Sequence, residues 1–254
     1  MNNILFPTDF SKNAKHALGF ALELAKKNNA KILLFNAYQL PYNRADMMVS
    51  VMGILKEDSE AGLKDTVDQI KQNPLYAGIE IEVLSRVGDV VSTVTEIVKE
   101  KEIDLIVMGT KGESGLLETI IGSNTSSVIK NVNCPILAVP EKANYVIPKK
   151  MAFAYDLKEV ENPKDLRFFG DFARSFDAQV QIYCIIPEPE KEAMEKPEAS
   201  LRMNEFFHGL NTEIYFSVNG DIIEGIRDLI EENDPDWMVM VAKKYRLFES
   251  LFHT

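Results

Sequence analysis

The sequence is poor in cysteine, in long apolar runs and in positive charge. Its two cysteines, Cys134 and Cys184, lie far apart with no cysteine or histidine at metal-ligand spacing, so neither a metal site nor a disulfide framework is expected. No window approaches the length of a membrane span, and the N-terminus lacks a targeting pattern. The 28 basic residues against 39 acidic ones, a net charge of −11, argue against a nucleic-acid surface. These absences predict a cytoplasmic protein with no membrane or nucleic-acid partner.

Familiar catalytic patterns are also missing. The segment "GTKGES", residues 109–114, lacks the Lys-Ser/Thr ending of a phosphate loop, and no second carboxylate follows a strand to hold magnesium. No Ser-His or Cys-His pair is visible, since His16, His208 and His253 stand in unrelated contexts. We therefore assign no catalytic residue, and whether the protein is an enzyme stays open.

What the sequence does contain is a regular alternation of strand-like and helix-like segments. Apolar residues make up 46% of the 254 positions, enough for real hydrophobic cores. Short apolar runs occupy residues 3–7, 30–38, 103–109 and 134–140, and residues 79–89 alternate like a strand and end on Gly88-Asp89. Segments with helical spacing separate them. Strands that alternate with helices predict an α/β fold with a parallel sheet covered on both faces.

The pattern then restarts. "KKMAFAYDLKEV" repeats the layout of "NNILFPTDFSKN", and "SVNGDIIEGIRDLI" parallels "SRVGDVVSTVTEIV". Strand-helix chains can resemble one another by chance, but the matches of Asp9 with Asp156 and Gly88 with Gly220 occur in order and favour duplication. We predict two tandem domains, residues 1–142 and 149–254, joined by a linker at 141–149. The second copy ends before any counterpart of "CPILAVP", so it is expected to be truncated and degenerate, without the last helix and strand.

The stretch "MGTKGESGLLETIIGSN", residues 108–124, is the strongest candidate site. Ligands of open parallel sheets bind beyond the carboxyl ends of the strands, where the strand order reverses, and Gly109 ends the fourth strand run. Glycines let the main chain approach a ligand closely and turn its N–H groups inward. The residues from Gly122 to Thr125 then place the positive end of a helix at the same edge. Loop and helix together predict an anion site.

These residues carry a family resemblance. Gly109, Gly112 and the Gly122-Ser123 pair resemble, in type and spacing, the nucleotide-binding signature of the ATP-binding branch of the universal stress protein family. "ILFPTDFS" is similar to that family's opening strand and acidic residue. The resemblance covers residues 1–140 and, more weakly, 149–254, as in a tandem member. It implies two open doubly wound five-stranded parallel-sheet domains, Rossmann-like and adenine nucleotide alpha hydrolase-like, the second of them truncated.

The resemblance also implies a ligand, which is ATP, alone or with magnesium. Asp9 would face the ribose or adenine, with Pro7 and Thr8 shaping its turn, and Asn36 would border adenine through its main chain. Asp9 has an alternative use as the N-terminal cap of the first helix. Lys111 either pairs with phosphate or is a solvated loop lysine. The remaining members of the implied set belong to the phosphate side: Met108, Gly109, Gly112, Gly122, Ser123, Asn124 and Thr125.

The implied function is that of a nucleotide-binding regulatory protein of the stress response, which binds ATP through its first domain. Two alternatives remain: a nucleotide-independent dimerisation or scaffold module, and a slow ATPase. The scaffold alternative is supported by the second copy, which keeps its strands but has lost the glycine loop. The edge strand Ile136 to Val139 has no counterpart in the second copy to pair with, so we expect it to pair with another chain in a homodimer.

Overall fold

The computed structural model describes residues 1–39, 48–110, 122–155, 163–186 and 207–241. The chain divides into two compact units, Met1–Tyr145 and Val146–Thr254, which are described separately. The division lies inside the segment 141–149, where the sequence predicts a linker.

The first unit is a parallel sheet with helices between its strands. In the sheet the strands lie in the order β3-β2-β1-β4-β5, and every pair is parallel. The chain therefore moves outward from β1 to β3 and then returns to the other side of β1 with β4. In chain order the elements are β1 (Asn3–Pro7), α1 (Lys12–Asn28), β2 (Lys31–Tyr38), α2 (Met48–Gln72), β3 (Ile81–Val87), α3 (Val90–Glu100), β4 (Leu105–Gly109), α4 (Ser123–Asn131) and β5 (Ile136–Val139).

Burial explains why the central strands have continuous apolar runs. Four consecutive residues are buried in β1 and four in β4, because a parallel strand with helices on both faces has no solvent side. Helix α1 instead buries one stripe with helical spacing and ends at Asn29, which adopts the left-handed conformation with φ of 51°. One core of the unit is formed by residues from β2, β4 and α3, among them Leu33, Phe35, Ile97 and Ile106.

The second unit repeats this topology with four described strands. They are β6 (Lys150–Tyr155), β7 (Gln179–Ile186), β8 (Thr212–Val218) and β9 (Trp237–Met240), with the helices α5 (Pro163–Phe176) and α6 (Ile222–Asn233). The sheet is parallel with the order β8-β7-β6-β9, which matches the order of the first four strands of the first unit. Within the described residues, no strand corresponds to β5.

Both units confirm the α/β fold with parallel sheets that the sequence predicts. The core of the second unit is more aromatic: Phe153 stacks on Phe169 with 5.3 Å between ring centroids, and Phe207 contacts both rings. In the parts of the chain that the structure describes, no helix has the length and apolar character needed to cross a membrane.

Candidate functional site

The strand order of the first unit reverses between β1 and β4. These strands are direct neighbours, with Ile4 opposite Leu105 and Leu5 opposite Ile106. The chain leaves their carboxyl ends toward opposite sides of the sheet, and such a point opens a crevice in doubly wound folds. The topology thus brings the predicted residues after β1 to the same edge as those at the end of β4.

The turn after β1 is held in an unusual conformation. Phe10 has a positive φ of 61°, which is uncommon for a residue with a side chain. Its N–H donates to the Thr8 hydroxyl at 3.0 Å, and the Ser11 N–H donates to Asp9 Oδ1 at 3.0 Å. The N-cap of α1 is Ser11, whose Oγ accepts from the Ala14 N–H. The alternative role of Asp9 as helix cap is therefore wrong, and Asp9 lies exposed at the strand end.

Asn36 secures this turn to the neighbouring strand. Its Nδ2 donates to the Thr8 carbonyl at 2.7 Å, next to the bond from the Thr8 N–H to the Phe35 carbonyl at 2.8 Å. The family resemblance implies a contact of the Asn36 main chain with adenine, which stays a prediction; the Asn36 side chain holds the Thr8 carbonyl. The only signal for it in the sequence is a polar residue within an otherwise apolar strand run.

Gly109 is required by packing. Its φ is not positive; in the described residues Gly88 and Gly209 are the glycines with positive φ. A Cβ atom on Gly109 would lie 2.8 Å from Nδ2 and 2.9 Å from the carbonyl oxygen of Asn13 on α1. The Asn13 amide group in turn donates to the Thr110 carbonyl. Asn13 is thus a site-forming residue that the sequence reasoning missed, because nothing local marks its contact with β4.

Helix α4 begins at the same edge without a side-chain cap. Its N-cap residue is Gly122, with φ of −56° and ψ of 146° and no side-chain hydrogen bond to the first turn. Ser123 and Asn124 at the helix start are exposed. Thr125 is only 4% exposed and donates its hydroxyl to the Gly109 carbonyl at 2.9 Å, which joins α4 to the end of β4. The first-turn N–H groups and the positive end of the helix dipole are therefore suited to an anion.

The remaining predicted site residues are either buried or lie outside the part of the chain that the structure describes. Met108 is 6% exposed and packs in the core, and Pro7 is also buried, so both offer the site their main chain. Lys111 and Gly112 lie outside the described residues.

Other reactive groups of the described residues do not form a second site. Burial raises the pKa of the Cys134 and Cys184 thiols to about 12, so both are protonated and unreactive at neutral pH. His16 packs edge-to-face against Phe20 at 5.7 Å. No group of three potential metal ligands occurs among the described histidine, cysteine and acidic residues.

The architecture defines a class of protein: a doubly wound α/β protein whose strand order reverses between β1 and β4, with a carboxylate and a helix N-terminus at that edge. The chain belongs to the universal stress protein family, because the family's model matches residues 1–140, more than half of the chain. The family resemblance of the first domain is thereby confirmed.

Individual relatives agree with this assignment. Universal stress protein MJ0531 of Methanocaldococcus jannaschii is 31% identical over 142 residues, which cover 54% of this chain and 80% of that protein. Universal stress protein MJ0577 of the same organism is 26% identical over 153 residues, 55% of this chain and 94% of that protein. Among solved structures, a universal stress protein from Archaeoglobus fulgidus superposes with a TM-score of 0.73 at 20% identity, covering 94% of this chain and 86% of its own. At 20% identity, the superposition on the Archaeoglobus fulgidus structure shows a shared fold.

Proposed function

We propose that the first unit binds an adenine nucleotide, ATP with or without magnesium, and that the protein is a nucleotide-dependent regulator of the stress response. The observation that carries this proposal is the start of α4, where Gly122 leaves the first-turn amides without a side-chain cap. It lies next to the strand-order reversal, where ligands of such sheets bind. The glycine spacing of the family signature supports ATP as the nucleotide.

The chemistry of the available groups fits a nucleotide in one orientation. The β1 side of the crevice offers the Asp9 carboxylate, which accepts hydrogen bonds and repels phosphate. The α4 side offers N–H groups and the Ser123 hydroxyl, which donate to phosphate oxygens. A nucleotide has the same polarity, with hydroxyl or amino donors at one end and anionic oxygens at the other. We therefore place the ribose or adenine near Asp9 and the phosphates at the start of α4.

The expected affinity is moderate. A charge-assisted N–H contact contributes about 1.5–3 kcal/mol. Three such contacts supply much of the roughly 8 kcal/mol of a micromolar complex, before the cost of ordering the ligand is subtracted. Because Asn36 and Thr125 already hold the strand ends and α4 through hydrogen bonds, little of the described site needs to be ordered on binding.

The second unit, which we propose to be a tandem copy, is not expected to bind nucleotide in the same way. Its strand β9 ends in Met240, followed by Val241, where β4 ends in Gly109. Side chains at that point block the close approach of a helix or ligand that a glycine allows. The nucleotide site is thus proposed for the first unit alone.

Calorimetric titration of the full chain with ATP and magnesium tests the proposal, with Gly122→Asp and Gly122→Asn as variants. Both new residues are good N-caps and keep α4 folded, as circular dichroism would verify. Only the aspartate adds a negative charge where the phosphates are proposed to lie. We expect saturable binding to the wild type, and binding to Gly122→Asp about tenfold weaker than to Gly122→Asn. Equal binding to all three proteins would show that the phosphates do not bind at the start of α4.

The wild type and one further variant, Asp9→Ala, test the ATPase alternative. Magnesium-dependent phosphate release that disappears in Asp9→Ala would make the protein a slow ATPase. Binding without turnover supports the regulatory function.

We also propose that the protein is a homodimer through β5. This strand lies at the end of the sheet order, so one of its edges has no strand partner among the described residues. An unpaired edge offers main-chain hydrogen bonds to a second copy, and two copies related by a two-fold axis close the edge.

A further inference from the structure

The second unit contains a groove between its edge strand β8 and helix α6. The groove has a volume of about 480 Å³, within the range of about 300–1,000 Å³ that is usual for ligand sites. Strand β8 ends the sheet order, and Phe216 on it is 42% exposed. We call this feature the acidic groove; its lining includes Phe216, Ser217, Val218, Asp228, Glu231 and Glu232.

Within the described part of the second unit, the carboxylates of the acidic groove have no basic partner. Asp228, Glu231 and Glu232 form no ion pair with any described lysine or arginine. Asp228 Oδ2 accepts a long hydrogen bond of 3.5 Å from Asn219 Nδ2. The carboxylates do not group closely enough to hold a metal ion, judged over the described residues. Three negative charges therefore lie beside a strand edge that pairs with no other described strand, and they are available to a cationic partner.

The first unit shows what occupies the equivalent place there. Arg86 on the edge strand β3 reaches across to α3, and its guanidinium lies 2.6 Å from Glu100 Oε2 and 3.9 Å from Glu96 Oε2. The Glu100 hydrogen bond raises the pKa of Arg86. One arginine thus bridges two glutamates of the helix, with a close contact to Glu100 and a longer one to Glu96.

The helix side of this arrangement is preserved in the second unit. Helices α3 and α6 both begin after an aspartate N-cap, Asp89 and Asp221. At the same offsets from the cap as Glu96 and Glu100 of α3, helix α6 has Asp228 and Glu232. The second unit therefore keeps both carboxylates.

The strand side is changed. Strand β3 ends at Val87 and strand β8 ends at Val218, and the next N–H group, of Gly88 or Asn219, donates to the last residue of the neighbouring strand, Tyr38 or Ile186. This register makes Ser217 the counterpart of Arg86, with one extra residue between β8 and the cap of α6. Ser217 lines the acidic groove. The second unit has kept the acidic half of an ion-pair site and has lost the arginine that fills it.

We propose that the acidic groove binds an arginine side chain from an extended segment of a partner protein that pairs with the free edge of β8. Main-chain bonds to an edge strand supply affinity in this mode of recognition, and side-chain pockets supply specificity. The carboxylates of α6 match the planar donor fork of a guanidinium. The exposed Phe216 ring offers apolar contact to a neighbouring residue of the segment. This site is separate from the nucleotide site and does not depend on it.

The test uses the full chain and a fluorescent, acetylated peptide of alternating valine and threonine with one central arginine. We expect saturable binding that weakens as salt is added, because screened charges contribute less. A peptide with glutamine in place of arginine should bind about tenfold more weakly. Equal binding of the two peptides would overturn the proposal, since it would leave strand pairing without recognition of arginine.

Two variants locate the binding. Ser217→Arg supplies the missing guanidinium from the chain itself and should abolish peptide binding, with the fluorescence of Trp237, the single tryptophan, verifying that the second unit is folded. Arg86→Ser removes the arginine that contacts Glu96 and Glu100 in the first unit, so it should create a second peptide site there. Unchanged peptide binding in Ser217→Arg, or an unchanged stoichiometry in Arg86→Ser, would contradict the assignment.

Discussion

At the scale of single residues, two asparagines prepare the crevice of the first unit. Asn36 donates to the Thr8 carbonyl and Asn13 to the Thr110 carbonyl, so each binds a main-chain oxygen just past the end of a strand. Such oxygens have left the sheet ladder and need another partner. A hydrogen bond of this kind contributes about 1 kcal/mol, and its larger effect here is to hold the strand ends in place before a ligand arrives.

Gly109 provides the prediction at this scale. Gly109→Ala would place a Cβ within 3 Å of Asn13, which is closer than Cβ atoms ordinarily approach other heavy atoms. Helix α1 must therefore move away from β4. We expect a loss of about 1–3 kcal/mol in the free energy of unfolding, together with weaker nucleotide binding. Urea denaturation followed by circular dichroism measures the first effect.

Gly19→Ala in α1 is the matched control for this prediction. A Cβ atom at Gly19 meets nothing within 4 Å, and alanine should stabilise the helix by about 0.4–1 kcal/mol. If both variants are equally stable, Gly109 is not needed for the packing of α1 on β4.

At the scale of elements, the helices differ in how they begin. Ser11, Asp89 and Asp221 cap the helices α1, α3 and α6 through their side chains. Of the helices whose N-cap is described, α4 is the one that starts with a glycine and has no capping side chain. Because capping side chains use the same amides that bind anions, this difference supports the proposed binding role of α4.

Helix α3 provides a prediction on pH. Hydrogen bonds from Ser92 hold the pKa of Asp89 below its ordinary value. A carboxylate with a lowered folded-state pKa contributes stability that is present above the unfolded-state value, about 3.9. That stability is lost as the pH falls through the folded-state pKa. We therefore expect the cap to stabilise α3 at neutral pH and to lose this effect below about pH 4.

The comparison of Asp89→Asn with wild type measures this effect in urea at pH 7 and pH 3. Asparagine also caps helices, so the variant should be nearly as stable at pH 7 and should lose less stability on acidification. Asp89→Ala should lose about 1 kcal/mol at pH 7. An identical loss for wild type and Asp89→Asn between the two pH values would show that the Asp89 charge is not involved.

At the scale of the whole molecule, the sheet edges of the first unit that have no described strand partner differ in how they are protected. Strand β3 carries Glu82 and Arg86 in ion pairs, and Glu82 contacts both Lys31 and Lys101. Charged side chains on an edge discourage pairing with other chains. Strand β5 reads "ILAV" between two prolines and has no charged residue, so its edge is the better candidate for contact with a second copy.

The hydrogen-bond pattern of β5 allows a direct test of the homodimer. The N–H groups of Ile106 on β4 and of Thr110 just after it donate to the carbonyls of Pro135 and Val139. In a parallel ladder this alternation turns the N–H groups of Ile136 and Ala138 to the free side. Ala138→Pro should remove a donor needed by the second copy while leaving the β4–β5 pair intact.

Sedimentation velocity over a wide range of protein concentration should show a dimer for wild type and a monomer for Ala138→Pro. Ala138→Thr keeps the N–H group and should remain dimeric. A wild-type protein that is monomeric at every concentration, or an Ala138→Pro variant that still dimerises, would exclude β5 as the interface.

The elements of the first unit were predictable from the sequence because their signals are local. Runs such as "ILLF" in β2 are visible within a few residues, since burial on both faces acts over the length of one strand. The interactions of Asn13 with β4 and of Asn36 with Thr8 were not predictable. They join residues that are distant in sequence, and an isolated asparagine carries no sign of its partner.

The sequence by itself determined the α/β architecture, the parallel sheets and the edge at which the candidate site lies, because hydrophobic periodicity and glycine spacing are properties of the chain alone. Only the tertiary structure decided that Gly109 is required for close packing, that Ser11 and not Asp9 caps α1, and that α6 faces a groove without an arginine. Each of these depends on distances between segments brought together by folding, and such distances are set by the packing of the whole unit.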